Sequence, residues 1–139
     1  TDIKVIHGLN TLSKLVSLNL SNTQNLEELS LENQRKLEFL NLSGSAVKTL
    51  SFENLDAIES LEFTSLQSTE RIHFKGSFKK LKSITFEDVP NIIQLEGLED
   101  LDQLETVNIK GQNVNRSEIT DKIKKFPPSA RVIDQEERI

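Results

Sequence analysis

Apolar residues recur along this chain at a short and regular interval. The segments NLEELSL (25–31), KLEFLNL (36–42), VKTLSF (47–52) and AIESLEF (57–63) share one frame, with apolar side chains at its first, fourth and sixth positions. The first position of successive frames runs Ile3, Leu15, Leu26, Leu37, Val47, Ile58, Thr69, Leu81, Ile92 and Leu104, and Thr69 is its one polar member. The pair that follows is Ile6/Gly8, Leu18/Leu20, Leu29/Leu31, Leu40/Leu42, Leu50/Phe52, Leu61/Phe63, Ile72/Phe74, Ile84/Phe86, Leu95/Gly97 and Val107/Ile109. Apolar and polar residues alternate through each pair, the period-two signature of a short strand with one buried face. Strands repeated this closely predict an architecture in which no unit buries its face alone and neighbours stack.

A longer self-match sets the size of the unit. IKVIHGLNTLSKLVSLNL (3–20) aligns without gaps on IIQLEGLEDLDQLETVNI (92–109), an offset of 89 residues, or four turns of about 22. Two frames therefore make one turn, and successive frames belong to opposite walls of a coil. The first wall takes the strands near 18–20, 40–42, 61–63, 84–86 and 107–109. The second takes those near 6–8, 29–31, 50–52, 72–74 and 95–97. The expected fold is a mostly β member of the α/β class, a solenoid of five to six such turns with parallel sheets.

The frame stops after Lys110. Ser117 is placed to cap a helix, with Glu118 in its first turn and Ile119, Ile123 and Phe126 on one face. Pro127 and Pro128 end that helix, and Val132 and Ile133 follow Val107 by about one turn, right for a last strand. Residues 1–115 are read as the solenoid and 116–139 as its C-terminal capping helix and strand, within a single domain. A cap is expected because the end of a solenoid otherwise exposes its apolar cross-section.

The L-x-x-L-x-L strands and G-L-x-x-L-x-x-L connectors resemble leucine-rich repeats of the internalin-like class. The nested eleven-residue half-repeats are similar to those of bacterial leucine-rich-repeat proteins. The resemblance spans residues 3 to 115. It implies a right-handed coil, a concave parallel sheet and a protein partner bound there, in a bacterial surface or exported protein. The family places Asn three residues beyond the second strand leucine. Here those first-wall positions hold Thr23, Ser45, Leu66, Val89 and Gln112, while Asn22 and Asn33 stand one place early.

Composition narrows the function without naming it. The net charge of −5 disfavours nucleic acid and anionic membrane surfaces. No Cys is present, which removes disulfides, thiolate chemistry and Cys-ligated metal. No apolar run is long enough to span a bilayer, so no membrane insertion is expected. The chain begins at Thr1 and contains no Met, as an excised or processed piece would. Compartment is left open, with an extracellular or cell-surface setting favoured by the resemblance.

Side chains between the inward pairs point outward. On the first wall the central slot reads Asn19, Asn41, Glu62, Thr85 and Asn108, and Phe39 is the wall's one outward aromatic. These six are the candidate partner-binding residues, since an aromatic anchor in a polar field is a favoured hot spot. The second wall is graded by charge, from Glu28, Glu32 and Glu53 to Arg71, His73 and Lys75, with Lys79, Lys80 and Lys82 beyond; it reads as a solvated flank. Phe52, Phe63, Phe74 and Phe86 fill slots that leucine fills elsewhere and read as core.

Enzyme chemistry is not expected. His7 and His73 lie far apart in the repeat, and no nucleophile elbow, phosphate loop or zinc motif occurs. No cofactor and no metal are implied. The primary expectation is a protein-recognition scaffold. The alternatives are a structural spacer or stalk and, behind it, a β-helix carbohydrate-active enzyme. A free parallel edge at Thr1–Ile6 would also permit end-to-end self-association.

Overall fold

A computed structural model of the protein describes residues 5–6, 15–98, 101–121 and 130–135. Within them the chain is a solenoid of about five turns, mostly β, with two walls of parallel strands. One wall is a continuous sheet of β1 (Val5–Ile6), β3 (Glu28–Glu32), β5 (Thr49–Glu53), β7 (Arg71–Lys75) and β9 (Gln94–Glu96) in that order. The facing wall holds β2 (Ser17–Asn19), β4 (Phe39–Asn41), β6 (Ser60–Thr64), β8 (Ser83–Val89), β10 (Thr106–Val114) and β11 (Arg131–Gln135). Parallel neighbours need a long crossover, and the passage through the opposite wall supplies it. Where neighbouring strands pair, their inward residues follow the expected register, as in Leu29↔Leu50, Leu50↔Ile72 and Leu61↔Ile84.

Between the walls lies an apolar core. Leu31, Leu50, Phe52, Ile84 and Phe86 are completely buried, and the leading residues Leu37, Val47, Ile58, Leu81, Ile92 and Leu104 line the corners with no exposed surface. Thr69, the polar member of that series, is equally buried. Its hydroxyl donates to the Val47 carbonyl one turn earlier at 2.8 Å, so the slot accepts a polar group by satisfying it internally. The phenylalanines form a stack through the middle turns. Phe52 meets Phe63 across the core at 6.3 Å and Phe74 in the next turn at 5.8 Å, while Phe63 meets Phe86 at 5.5 Å.

The strands turn at left-handed corners. Two residues past the inward pairs the backbone has positive φ, at Asn22, Gly44, Ser65, Asp88 and Gly111 on one wall and at Asn33, Asn54 and Gly76 on the other; Gly97, itself the second member of its pair, has positive φ as well. Gly, Asn and Asp are the residues that tolerate this region, which accounts for Asn22 and Asn33 standing one place early. The following position turns inward: Leu66 and Val89 are buried there, Ser45 nearly so, and the Thr23 hydroxyl donates to the Leu20 carbonyl at 2.6 Å. An inward-facing slot filled in these ways has no need of the asparagine that the resemblance implies.

At the C-terminal end a short helix, α1 (Arg116–Asp121), closes the continuous wall. It starts two residues earlier than expected, so Ser117 lies inside the first turn and its hydroxyl donates to Asn115 Oδ1 at 2.9 Å. Ile119 is buried. Glu118 Oε2 accepts from the Leu95 N–H at 3.3 Å, and Asn115 Nδ2 donates to the Ile92 carbonyl at 2.7 Å. Side chains at this end thus satisfy backbone groups of β9, the last strand of its sheet, and of the approach to it. Ile123, Phe126, Pro127 and Pro128 lie outside the described residues. The final strand falls where expected: β11 pairs with β10 in the register Val107↔Val132. Of the edge at Thr1–Ile6, only Val5 and Ile6 are described.

Candidate functional site

The first wall departs from expectation at one place. It is two sheets rather than one, β2–β4 and β6–β8–β10–β11, and β4 has no hydrogen-bonded neighbour on the β6 side among the described residues. The second wall behind it runs unbroken through the same turns. The split falls at the strand that precedes the shortest crossing in the coil. Leu40 to Leu50 is ten residues, whereas Leu29 to Leu40 and Leu50 to Leu61 are eleven.

Both ends of the split are pinned. At the exit corner the Gly44 N–H donates to the Ser65 carbonyl at 3.2 Å. At the approach to β4 the Arg35 guanidinium pairs with the Asp56 carboxylate of the next turn, and Asp56 also accepts from the Ser77 hydroxyl one turn further on. Beside it Asn54 Nδ2 donates to Asn33 Oδ1 at 2.7 Å. The turns are therefore joined at their corners and parted between them.

Burial pushes the Asp56 carboxyl up, but the Ser77 hydroxyl, the Arg35 guanidinium and the Lys79 charge together outweigh it and hold it below its ordinary value of 3.8. A depressed folded-state pKa stabilises the protein above the unfolded value, and that contribution is lost as pH falls through the folded value. Asp56→Asn is expected to lower stability at pH 7 by about 1 kcal/mol. The substitution should also narrow the difference in urea midpoint between pH 7 and pH 3. A variant with the wild-type acid response would remove Asp56 as a pin of the split.

The parted strands enclose a cleft of about 800 Å³. One lip carries Glu38, Phe39, Leu40, Asn41 and Ser43, with Ser17, Leu18 and Asn19 of β2 beyond; the other carries Ala57, Glu59, Ser60, Glu62 and Thr64. Phe39 is 64% exposed, whereas Phe52, Phe63, Phe74, Phe78 and Phe86 are 1% or less. Asn19 and Asn41 are held by local turns: Asn19 Oδ1 accepts from the Ser21 N–H at 2.9 Å and Asn41 Oδ1 from the Ser43 N–H at 3.0 Å. Their amide nitrogens have no partner among the described residues. Glu38, Glu59 and Glu62 are exposed, and no Lys, Arg or His among the described residues lines the cleft.

Four of the six candidate residues, Asn19, Phe39, Asn41 and Glu62, meet at this cleft. Thr85 and Asn108 do not; they sit in the continuous part of the wall. Thr85 faces outward yet is only 8% exposed, lying between Glu62 and Asn108 on the neighbouring strands, and Asn108 Nδ2 reaches its hydroxyl at 3.5 Å. Glu38 and Glu59 had no signal in the repeat frame, and the ten-residue crossing after Leu40 was the one trace of the split.

The second wall interleaves its charges. Glu53 lies beside Lys75 and Glu96 beside His73 in the sheet register, while Arg71 Nε donates to Gln94 Oε1 at 3.1 Å. Such offsetting fits a solvated flank. Among the described residues no cluster of His, Asp or Glu is placed to hold a metal ion, and no helix is long and apolar enough to cross a membrane.

Comparison with known proteins adds no relative: no family model, no curated protein and no solved structure matches the chain.

Proposed function

We propose that this chain is a protein-recognition module of the leucine-rich-repeat kind, with no enzymatic activity of its own, carried by a bacterial surface or exported protein. The partner binds on the first wall, at the cleft between β4 and β6. The observation that carries this reading is Phe39. It stands exposed at the mouth of a polar cleft, while every other phenylalanine among the described residues is buried. An aromatic ring beside a concavity and ringed by hydrogen-bonding groups is the composition of an interface hot spot.

The test is a selection of random displayed peptides on the wild-type domain, followed by binding to a Phe39→Ala, Asn41→Ala, Glu62→Ala triple variant. All three residues are exposed, so the variant is expected to melt close to wild type. Selected peptides should weaken by about thirtyfold or more, the effect of removing one hot spot. Peptides that bind both proteins equally would move the site elsewhere. A wild-type domain that selects nothing would favour the spacer reading. A glycan turnover lost in Glu59→Gln and Glu62→Gln would instead establish the carbohydrate-active enzyme.

A further inference from the structure

We propose that the split between β4 and β6 accepts a short, extended, basic segment of a partner protein, which adds as a strand to the β6 edge. The inference rests on the recognition reading above and names the partner's chemistry.

The backbone supplies the first argument. The Glu59 carbonyl accepts from the Lys82 and Ser83 N–H groups at 2.9 and 3.3 Å, so it points toward β8. Backbone groups alternate in direction along a parallel strand, so Ser60 and Glu62 aim their N–H and C=O the opposite way, into the cleft. On the other lip the Phe39 N–H donates to Val16 and the Asn41 carbonyl accepts from Leu20, both toward the preceding turn. Leu40 therefore faces the cleft. None of these inward-aimed groups has a hydrogen-bond partner among the described residues. An open edge with unpaired groups is a template for an added strand. Five residues of β6 extend about 17 Å, enough for an equally short segment.

Charge selects the occupant. Three exposed carboxylates, Glu38, Glu59 and Glu62, line the cleft, and no cationic side chain among the described residues does. An added strand alternates its side chains, so every second one falls on the outer face beside these groups. Lys or Arg at those positions gains the carboxylates and the face of Phe39, whose ring attracts a cation. An acidic strand meets repulsion from the same three groups, and a second copy of this chain brings a net charge of −5. A partner with a basic, extended segment is the occupant that satisfies backbone, charge and ring together.

The probe is a fluorescein-labelled heptapeptide alternating lysine and valine, read by anisotropy against the whole chain at low salt. Its controls are the glutamate–valine counterpart and a lysine–valine peptide with alternate backbone nitrogens methylated. The lysine peptide is expected to bind at least about tenfold more tightly than the glutamate peptide. Glu38→Gln, Glu59→Gln and Glu62→Gln together should weaken it about tenfold, and backbone methylation should weaken it by a similar factor on the unaltered protein. Equal binding of the methylated peptide would overturn strand addition, and equal binding to the Gln variant would overturn charge selection. Formation of a dimer that excludes the peptide would assign the edge to a second copy and defeat the proposal. If displayed peptides that depend on Phe39 prove neutral or acidic, this inference fails while the recognition reading stands. If none depends on Phe39, both fail.

Discussion

Phe52→Ala is expected to cost about 3–5 kcal/mol, the range for deleting a fully buried aromatic side chain. The residue has no exposed surface and stands where two turns and two walls meet, with Phe63 opposite and Phe74 above. Truncation removes contacts from both and leaves a cavity that a backbone tied into two sheet ladders does not readily collapse to fill. In a repeat protein each turn is stabilised chiefly by its neighbours, so a hole at Phe52 also weakens the joint between the turns that frame the cleft. A domain of this size unfolds with a total of about 5–15 kcal/mol, and the melting midpoint should drop by roughly 10 °C or more. Thermal and urea unfolding read the effect directly. A loss below about 1 kcal/mol would mean that the stack is dispensable and the aliphatic corners alone hold the coil.

The second large effect is expected at Gly97, for a different reason. Its φ is +81°, and a Cβ added there would stand 1.7 Å from the Phe74 carbonyl oxygen and 2.7 Å from the Phe74 carbonyl carbon. Both are backbone atoms, so relief requires the turns to move apart. Gly97→Ala should therefore cost about 3 kcal/mol or more, from left-handed strain and from ladder bonds lost between β7 and β9. Gly76 is a useful contrast. There the nearest atom to an added Cβ is Asn54 Oδ1, a side-chain atom that can swing aside. Gly76→Ala should cost the torsional part, about 1–2 kcal/mol, and about 1 kcal/mol more for the bond that Asn54 Oδ1 accepts from the Ser77 N–H, still less than a clash with backbone. Gly97→Asn separates the two causes, because Asn adopts the same left-handed backbone at positions 22, 33 and 54. It should remain nearly as unstable as Gly97→Ala, and a near-wild-type midpoint would show that the torsion alone matters.

These two positions also mark what could and could not be read in advance. Phe52 was legible as core because it takes the slot that leucine takes elsewhere in the frame, and period-two alternation fixes which side chains face inward. The same logic placed every described strand on its wall and set β11 opposite β10. Corner geometry was half legible. Gly, Asn and Asp recur two residues past most inward pairs, yet only the coordinates show that Asp88 and Ser65 bend the chain in the same sense. Thr85 was assigned to the outward face, which is right, but its burial depends on the length of Glu62 and Asn108 beside it, a cross-strand matter.

The cleft was the least legible feature, although four of its residues had been singled out. Leu40/Leu42 and Leu61/Phe63 present the same pattern whether their turns touch or stand apart, because inward burial is a property of each strand and its core. Hydrogen bonding between turns depends instead on how neighbouring strands are staggered, and here it fails beside the one ten-residue crossing. By itself, then, the order of apolar and polar residues determined a two-walled solenoid, its inward face and its repeat length, since local alternation and burial suffice for all three. Only the tertiary structure decided where the first wall opens and which carboxylates gather around Phe39. Those follow from distances between turns, and no single turn encodes them.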